Sequence, residues 1–240
     1  VQNGNFSELG SEELTNGDFS NGSSNWNIQA GTVVFINNTV ELQGASIINQ
    51  SGVTSPSTKT YKVTYTVKST SGNPVLKLYN GSWFTVNSTI GTHTEYFVPN
   101  SVTFFLRNDS SDNITIDNVS VKQVDPNDRW TLGTGWSYGT NKAEKTAGTG
   151  SILSQSNVVE ANKKYKVSFD VVATAGYIDS VFIGGQSEGT NITASGSYTY
   201  IFDTTNVDSL GFNANSSFAG SVTNISVVEV QGDRPRLSYD

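Results

Sequence analysis

Alternation of apolar and polar positions is the main pattern along this chain. In Tyr61–Val67 the odd positions are Tyr or Val and the even positions are Lys or Thr. Tyr165–Val171 has the same alternation, with aromatic residues or Val at the odd positions and polar residues at the even ones. A period of two built from aromatic and β-branched residues predicts a half-buried β-strand. Other short segments with strand character are Thr32–Ile36, Thr39–Gln43, Val75–Tyr79, Thr94–Val98, Val102–Arg107, Ser180–Ile183, Tyr198–Phe202 and Ser209–Asn213. No segment keeps a helical apolar period over three turns, so we predict an all-β fold.

The two Tyr-led strands belong to a longer repeat. Ile116–Val121, near the end of the first copy, corresponds to Val222–Val227 near the end of the second. Short strands and polar turns in a unit of about 100–110 residues indicate a β-sandwich. At the starts of the copies, we match Phe19 with Trp130 and Trp26 with Trp136.

This repeat predicts the domain organisation. We assign residues 1–12 to the end of an upstream linker, 13–125 to the first sandwich, 126–231 to the second and 232–240 to a linker before a downstream domain. The copies join near Asp125–Asp128. The sequence contains no Met, even at position 1, so we expect a processed chain or a fragment.

The closing strand of each copy changes the face that carries its apolar residues. Ile116 is at an even position and Val119 at an odd one, so they lie on opposite sides of a regular strand. The same is true of Val222 and Ile225. A strand cannot change its buried face without an irregularity. We therefore predict a β-bulge or kink at the Asn between the two phases, Asn118 and Asn224.

Composition excludes several functions. The net charge is −7, which argues against a nucleic-acid backbone or an anionic lipid surface as partner. There is no Cys for disulfide or thiolate chemistry, and no apolar run reaches the roughly 20 residues of a membrane span. Hydrophobic residues make up 35% of the chain, too many for a disordered protein, and a neutral or weakly charged partner remains open.

The two ends of the first copy resemble a known family. Asn16-Gly17-Asp18-Phe19 is followed by Trp26, and the copy closes on Ile116-Asp117-Asn118-Val119. This start and finish resemble the jelly-roll carbohydrate-binding modules found beside secreted glycoside hydrolases. The resemblance implies two tandem jelly-roll β-sandwich domains and glycan as the ligand, although the second copy lacks the opening Asn-Gly-Asp.

A second resemblance suggests a different setting. Phe6–Phe19 and Trp130–Trp136 are similar to segments of bacteriophage tail and fibre proteins. Arg234–Asp240 is similar to the linker that precedes a lectin-like laminin-G or concanavalin-type domain in such proteins. This resemblance implies a virion or extracellular location and virion proteins as partners. Fibres are commonly homotrimers, but the sequence has no heptad repeat.

Glycan binding is the sharpest site hypothesis. Sugar rings stack on aromatic side chains while placed polar groups bind the hydroxyls. Adjacent Trp83 and Phe84 should point in opposite directions in an extended segment, so one ring faces outward and the other fills the core. Trp26 and Trp136 are expected in the cores. The second copy has Gly184–Gly189 in place of the Trp83 loop and is expected to be a spacer. The candidate glycan-binding residues are Tyr79, Trp83, Phe84, Tyr96 and Arg107.

No catalytic site is predicted. His93 is the only His and has no partner at a catalytic spacing, and the Glu residues are scattered. We therefore expect a protein that is not an enzyme and needs no cofactor.

Calcium is the one metal to consider. The resembling modules often hold a structural Ca²⁺ near the first and last strands, which makes Asp18 and Asp117 candidate ligands. Ser20 and Thr223 replace acidic residues of that pattern, and Asp117 and Asn118 could instead satisfy backbone groups at the kink.

Three functions remain open at this point. The first is a non-catalytic segment of a phage fibre or tail appendage that contacts host surface glycan. The second is a carbohydrate-binding module pair from a secreted glycoside hydrolase. The third is a purely structural capsid or tail decoration without a ligand.

Overall fold

A computed structural model describes residues 1–56 and 59–230. These residues form strands and turns, and no helix among them is long and apolar enough to cross a membrane. The predicted all-β jelly-roll class is confirmed. The strands of the described ranges are β1 Leu9–Glu12, β2 Asn27–Ile36, β3 Thr39–Ser51, β4 Tyr61–Thr70, β5 Leu76–Tyr79, β6 Trp83–Thr85, β7 Gly91–Phe97, β8 Thr103–Asn108, β9 Ile114–Val124, β10 Trp130–Leu132, β11 Trp136–Gly139, β12 Lys142–Lys145, β13 Ser151–Gln155, β14 Lys164–Ala175, β15 Ile178–Ile183, β16 Gln186–Glu188, β17 Gly196–Asp203, β18 Leu210–Ala214 and β19 Ala219–Glu229.

The chain forms two compact units. The first is Leu9–Pro126, and the second combines Val1–Glu8 with the chain from Asn127 onward. This differs from the sequence-based division, in which residues 1–12 were an upstream linker. Residues 9–12 are instead strand β1, paired with β9. The linker predicted at 232–240 lies outside the described residues.

A single curled sheet forms the first unit. Its strands run in the order β6-β5-β8-β3-β9-β4-β7, with β1 beside β9 and β2 beside β3. Strand β3 connects the two halves of the sheet, because its first half pairs with β9 and its second half pairs with β8. Gly44 lies between the halves at a φ of 56°, where glycine has no steric penalty. The two halves of the sheet enclose a core that includes Leu42, Tyr65 and Leu106.

Two sheets form the second unit, in the orders β10-β13-β18-β15-β16 and β11-β12-β19-β14-β17. The first Tyr of the repeated strand is buried in both units, and in both its hydroxyl accepts a hydrogen bond from a backbone N–H. Tyr61 Oη accepts the N–H of Ser55 at 3.0 Å, and Tyr165 Oη accepts the N–H of Glu160 at 3.1 Å. Each phenol therefore fixes the turn that precedes its strand.

The predicted bulges are confirmed at both Asn residues. Thr64 and Thr66 of β4 face Ser120 and Asp117 of β9, so β9 has one extra residue in the ladder. Ser168 and Asp170 of β14 show the same shift against β19. The extra residue adopts a left-handed backbone, with φ 50° at Asn118 and 51° at Asn224, a conformation that Asn tolerates better than most residues.

Each bulge is held by a glycine from an opening turn. The N–H of Val119 donates to the carbonyl of Gly17 at 2.8 Å, and the N–H of Ile225 donates to the carbonyl of Gly4 at 2.9 Å. A Cβ on either glycine would lie 2.0 Å from the carbonyl oxygen of the residue it holds. We call this contact, Gly17 with Val119 or Gly4 with Ile225, the bulge clamp.

The opening of the second copy is therefore Asn3–Ser7, which precedes the first copy in the chain. Phe6 and Phe19 have φ values of 55° and 52°, and each packs on a Trp. Trp130 Nε1 donates to the carbonyl of Asn3 at 3.0 Å, as Trp26 Nε1 does to that of Asn16 at 2.9 Å.

The sequence-based match of Trp26 with Trp136 is thus wrong. Trp130 is the equivalent residue, and the expectation that the second copy lacks the opening is also wrong. Both errors arose because the opening was sought only after residue 126. Trp26 and Trp136 are nevertheless both buried, as predicted.

Replacing Gly4 with Ala should destabilise the second unit, and replacing Gly17 with Ala the first. The methyl group would break the clamp and leave a backbone N–H unpaired, so we expect a cost of about 2–4 kcal/mol in the affected unit. Hydrogen exchange of the whole chain, resolved by peptide, measures the loss of protection in each unit. Gly189→Ala is the control, because nothing lies within 4 Å of its added Cβ. Loss of protection in the first unit alone on Gly4→Ala would contradict the assignment of residues 3–7.

Candidate functional site

Three aromatic rings cover the outer side of the β5, β6 and β8 strands. Tyr79 and Trp83 are directly paired across the β5–β6 hairpin, and Phe105 of β8 contacts both. The ring centroids are 5.2 Å apart for Tyr79 and Trp83, 5.5 Å for Tyr79 and Phe105, and 5.8 Å for Trp83 and Phe105. All three side chains are half-buried. We call this set, Tyr79, Trp83 and Phe105, the ring face.

Polar side chains continue the ring face along the same row. Asn49 of β3 is directly opposite Phe105, and Asn27 of β2 is directly opposite Asn49. Directly paired residues of antiparallel strands share a side of the sheet. Asn49 Nδ2 also donates to Gln29 Oε1 at 3.2 Å. The row crosses five strands, about 19 Å at the usual strand spacing, and therefore offers several ring and amide contacts in a line.

Charged groups border the ring face on one side. Lys77 and Arg107 are paired across β5 and β8, and the Arg107 guanidinium lies 5.1 Å from the centroid of the Trp83 ring. Asp109 bridges the two cations, with Lys77 Nζ 2.6 Å from Oδ2 and Arg107 on Oδ1. The hydrogen bond from Lys77, with the charge of Arg107, holds the pKa of the Asp109 carboxyl below its usual range. The Asp109 carboxyl is therefore ionised at neutral pH.

The structure brings together three of the five candidate residues, Tyr79, Trp83 and Arg107. Phe84 points to the other side of its strand, as alternation requires, and packs against the core with its ring 6.3 Å from that of Phe97. Tyr96 lies on β7, at the opposite end of the strand order, where it pairs with Lys62. Phe84 and Tyr96 are therefore not part of the ring face.

Phe105 is the residue that sequence reasoning missed. Phe104 and Phe105 are adjacent in a strand, so one of them must face outward. Phe104 is buried and Phe105 is half-buried on the outer side. The same argument that was applied to Trp83 and Phe84 would have found it.

The second copy lacks this arrangement. Its corresponding strands are β15, β16 and β18, in which Phe182 pairs with Ser187 and with Gly211. The Phe182 ring lies directly over Gly211, where an added Cβ would be 2.0 Å from Cζ. The second copy therefore has one aromatic ring at the position where the first copy has three.

His93 contacts the backbone and a ring. Its Nε2 lies 2.6 Å from the carbonyl oxygen of Thr89, and its ring centroid is 5.5 Å from that of Tyr65. Burial, with the charge of Glu95, raises the pKa of the Tyr65 phenol, whose Oη donates to the carbonyl of Asn87. These contacts place His93 at the edge of the core.

The two calcium candidates are each held at a local turn. Asp18 Oδ1 accepts the N–H and the hydroxyl of Ser20, which lowers the pKa of its carboxyl. Asp117 Oδ1 accepts the N–H of Asn118 at 2.7 Å, and its Oδ2 lies 3.8 Å from Lys68 Nζ. The described residues contain no group of three or more His, Cys, Asp or Glu placed to hold a metal. The two carboxylates alone do not supply the six to eight oxygens of a Ca²⁺ site.

Comparison with known proteins finds similarity among solved structures alone. The chain matches no protein-family model and no curated protein. It is similar to the N-terminal CBM22-1-CBM22-2 tandem domain of Paenibacillus barcinonensis Xyn10C, at 10% identity and a TM-score of 0.38, over 93% of this chain and 99% of that one.

Two further structures are similar to a lesser degree. One is the M60 catalytic domain with CBM51-1 and CBM51-2 of Clostridium perfringens ZmpB, at 7% identity and a TM-score of 0.26, over 84% of this chain and 38% of that one. The other is the PBSX exported protein XepA, at 12% identity and a TM-score of 0.20, over 85% and 86% of the two chains. Since all three TM-scores are low, we base the proposed function on the residues of this chain.

Chelation should leave the stability of both units unchanged. Asp18 and Asp117 accept hydrogen bonds within their own turns, so we expect no bound ion for EDTA to remove. Thermal unfolding in the presence of EDTA and then of millimolar Ca²⁺ checks this, and we expect no shift in Tm. A Tm that falls with EDTA and recovers with Ca²⁺, and that no longer responds in Asp117→Asn, would show that Asp117 binds the metal.

Proposed function

We propose that this chain is a non-catalytic pair of β-sandwich modules and that its first unit binds glycan on the ring face. The observation that carries the proposal is the set of three half-buried rings in mutual contact on the outer side of one sheet, continued by a row of amides. Rings that fill a core face inward, whereas these rings lie on the solvent side of a sheet whose other side is already packed.

The chemistry of this face suits a sugar chain. The C–H faces of pyranose rings pack against aromatic rings, and Tyr and Trp supply both an apolar surface and a polar group. The Asn49, Asn27 and Gln29 amides each offer donors and acceptors that match hydroxyl groups. An apolar patch rimmed by polar groups is also the usual form of a ligand site on a protein surface.

The second unit has a different role in this proposal. Its corresponding face has Phe182 over Gly211 and Ser187 in the place of Trp83. We propose that it is a spacer that shares the scaffold without the ligand site. The same glycan contact would serve in either setting raised by the sequence, a virion appendage or a secreted hydrolase.

Replacing Trp83 with Ala should weaken glycan binding by about 30-fold or more. Truncation of a central aromatic anchor costs about 2 kcal/mol or more of binding free energy. A glycan array identifies the ligand of the unmodified chain, and isothermal titration calorimetry then compares the variants. The unfolding free energy of Trp83→Ala should fall by about 1 kcal/mol or less, since the ring is partly exposed.

Tyr96→Ala is the matched control for this experiment. It also removes a half-buried ring of the first unit, but from β7 at the other end of the strand order. We expect its affinity to equal that of the unmodified chain. Equal losses in the Trp83 and Tyr96 variants, or no glycan bound by the folded chain, would contradict the proposal and favour the purely structural function.

A further inference from the structure

We propose that the ring face selects glycans that carry a carboxylate, such as uronic acids, and that Arg107 and Lys77 bind that group. This inference rests on the proposed function and adds the substrate class. Arg107 and Lys77 are directly paired and lie on the same side of the sheet as the rings. Their side chains are 28% and 23% exposed, so both remain accessible to a ligand.

The charges in this cluster do not cancel. Two cations share the single carboxylate of Asp109, which leaves one positive charge in excess. The other carboxylate of this loop, Asp112, accepts the backbone N–H of Asn73 at 2.7 Å. Each cation donates one hydrogen bond to Asp109, whereas an ammonium has three donors and a guanidinium has five. Donors therefore remain for a second carboxylate.

The position of Arg107 suits this task. Its guanidinium lies against the Trp83 ring, and this contact together with Asp109 fixes the orientation of the planar group. A guanidinium held in this way can donate two parallel hydrogen bonds to a carboxylate. The net charge of −7 on the whole chain does not prevent this, since charges beyond about 10 Å are largely screened at physiological salt.

The two copies differ both in the aromatic rings and in the charged residues at these corresponding positions. Where Lys77 pairs with Arg107, the second copy pairs Ser180 with Asn213. Asn215 takes the place of Asp109, because both donate their backbone N–H to the residue just before the corresponding strand. The copy without the ring face therefore also lacks the cations, which is consistent with a single site that uses both.

The test uses pairs of oligosaccharides that differ only in charge. Each uronic acid oligosaccharide is compared with its carboxyl-reduced neutral form, first on an array and then by calorimetry with the full chain. We expect the acidic member to bind at least tenfold more tightly at low salt, and the preference to shrink as salt is raised. Arg107→Gln and Lys77→Gln should each weaken binding of the acidic member about tenfold more than they weaken binding of the neutral member.

Lys62→Gln is the charge-matched control. It removes the same charge from β4, away from the ring face, and should not alter either affinity. Equal binding of acidic and neutral members, or equal losses in the Lys62 and Arg107 variants, would overturn the carboxylate inference while leaving glycan binding intact. Absence of binding to every member of both series would also overturn the carboxylate inference, whereas the proposed function fails only if the folded chain binds no glycan of a broad array. The salt dependence of the unmodified chain gives an answer even if a variant fails to fold.

Discussion

The bulge clamp is the contact on which the rest of this fold depends. A left-handed Asn in the closing strand shifts the ladder by one residue and turns the apolar face inward on both sides of the bulge. The shift frees one backbone N–H, which the opening glycine accepts at 2.8 Å in the first unit and 2.9 Å in the second. The closing strand lies between the strands it pairs with, β3 and β4 in the first unit and β12 and β14 in the second. Its register therefore sets that of its neighbours, and only glycine allows the close approach.

The shared scaffold leaves the outer side of the β5–β6–β8 strands free to vary. These positions contribute little to the core, which is filled from the inner side by residues such as Leu78 and Leu106. The first copy places Tyr79, Trp83 and Phe105 there, while the second has Phe182 over Gly211. Because the inner side is unchanged in character, a ring face can be gained or lost without a change of fold. This separation of scaffold from surface is the reason that the difference between the copies is informative about a ligand.

Much of this structure could be predicted from local pattern. The alternating Tyr61–Val67 strand, its repeat and the bulges at Asn118 and Asn224 follow from parity, because a strand has only two sides. The opposite directions of Trp83 and Phe84 follow from the same rule, although the rule does not say which ring faces outward. The second half of β3, around Ile47–Asn49, could not be predicted, since Gly44 interrupts the alternation and the segment is mostly polar. Tyr96 was grouped with Trp83 because periodicity gives no information about which strands are neighbours.

The sequence alone determined the fold class, the duplication and the phase change of the closing strand. These depend on short-range periodicity and composition. The tertiary structure alone decided that residues 3–7 complete the second unit, since the Gly4 to Ile225 contact joins segments more than two hundred positions apart. It also decided that Phe105 joins Tyr79 and Trp83 beside Arg107, because hydrogen bonding between β5, β6 and β8 brings these strands together. The placement of residues 3–7 and the position of Phe105 both follow from pairing between segments that are distant in the sequence. The free energy of such pairing depends on long-range contacts, which local sequence patterns do not predict.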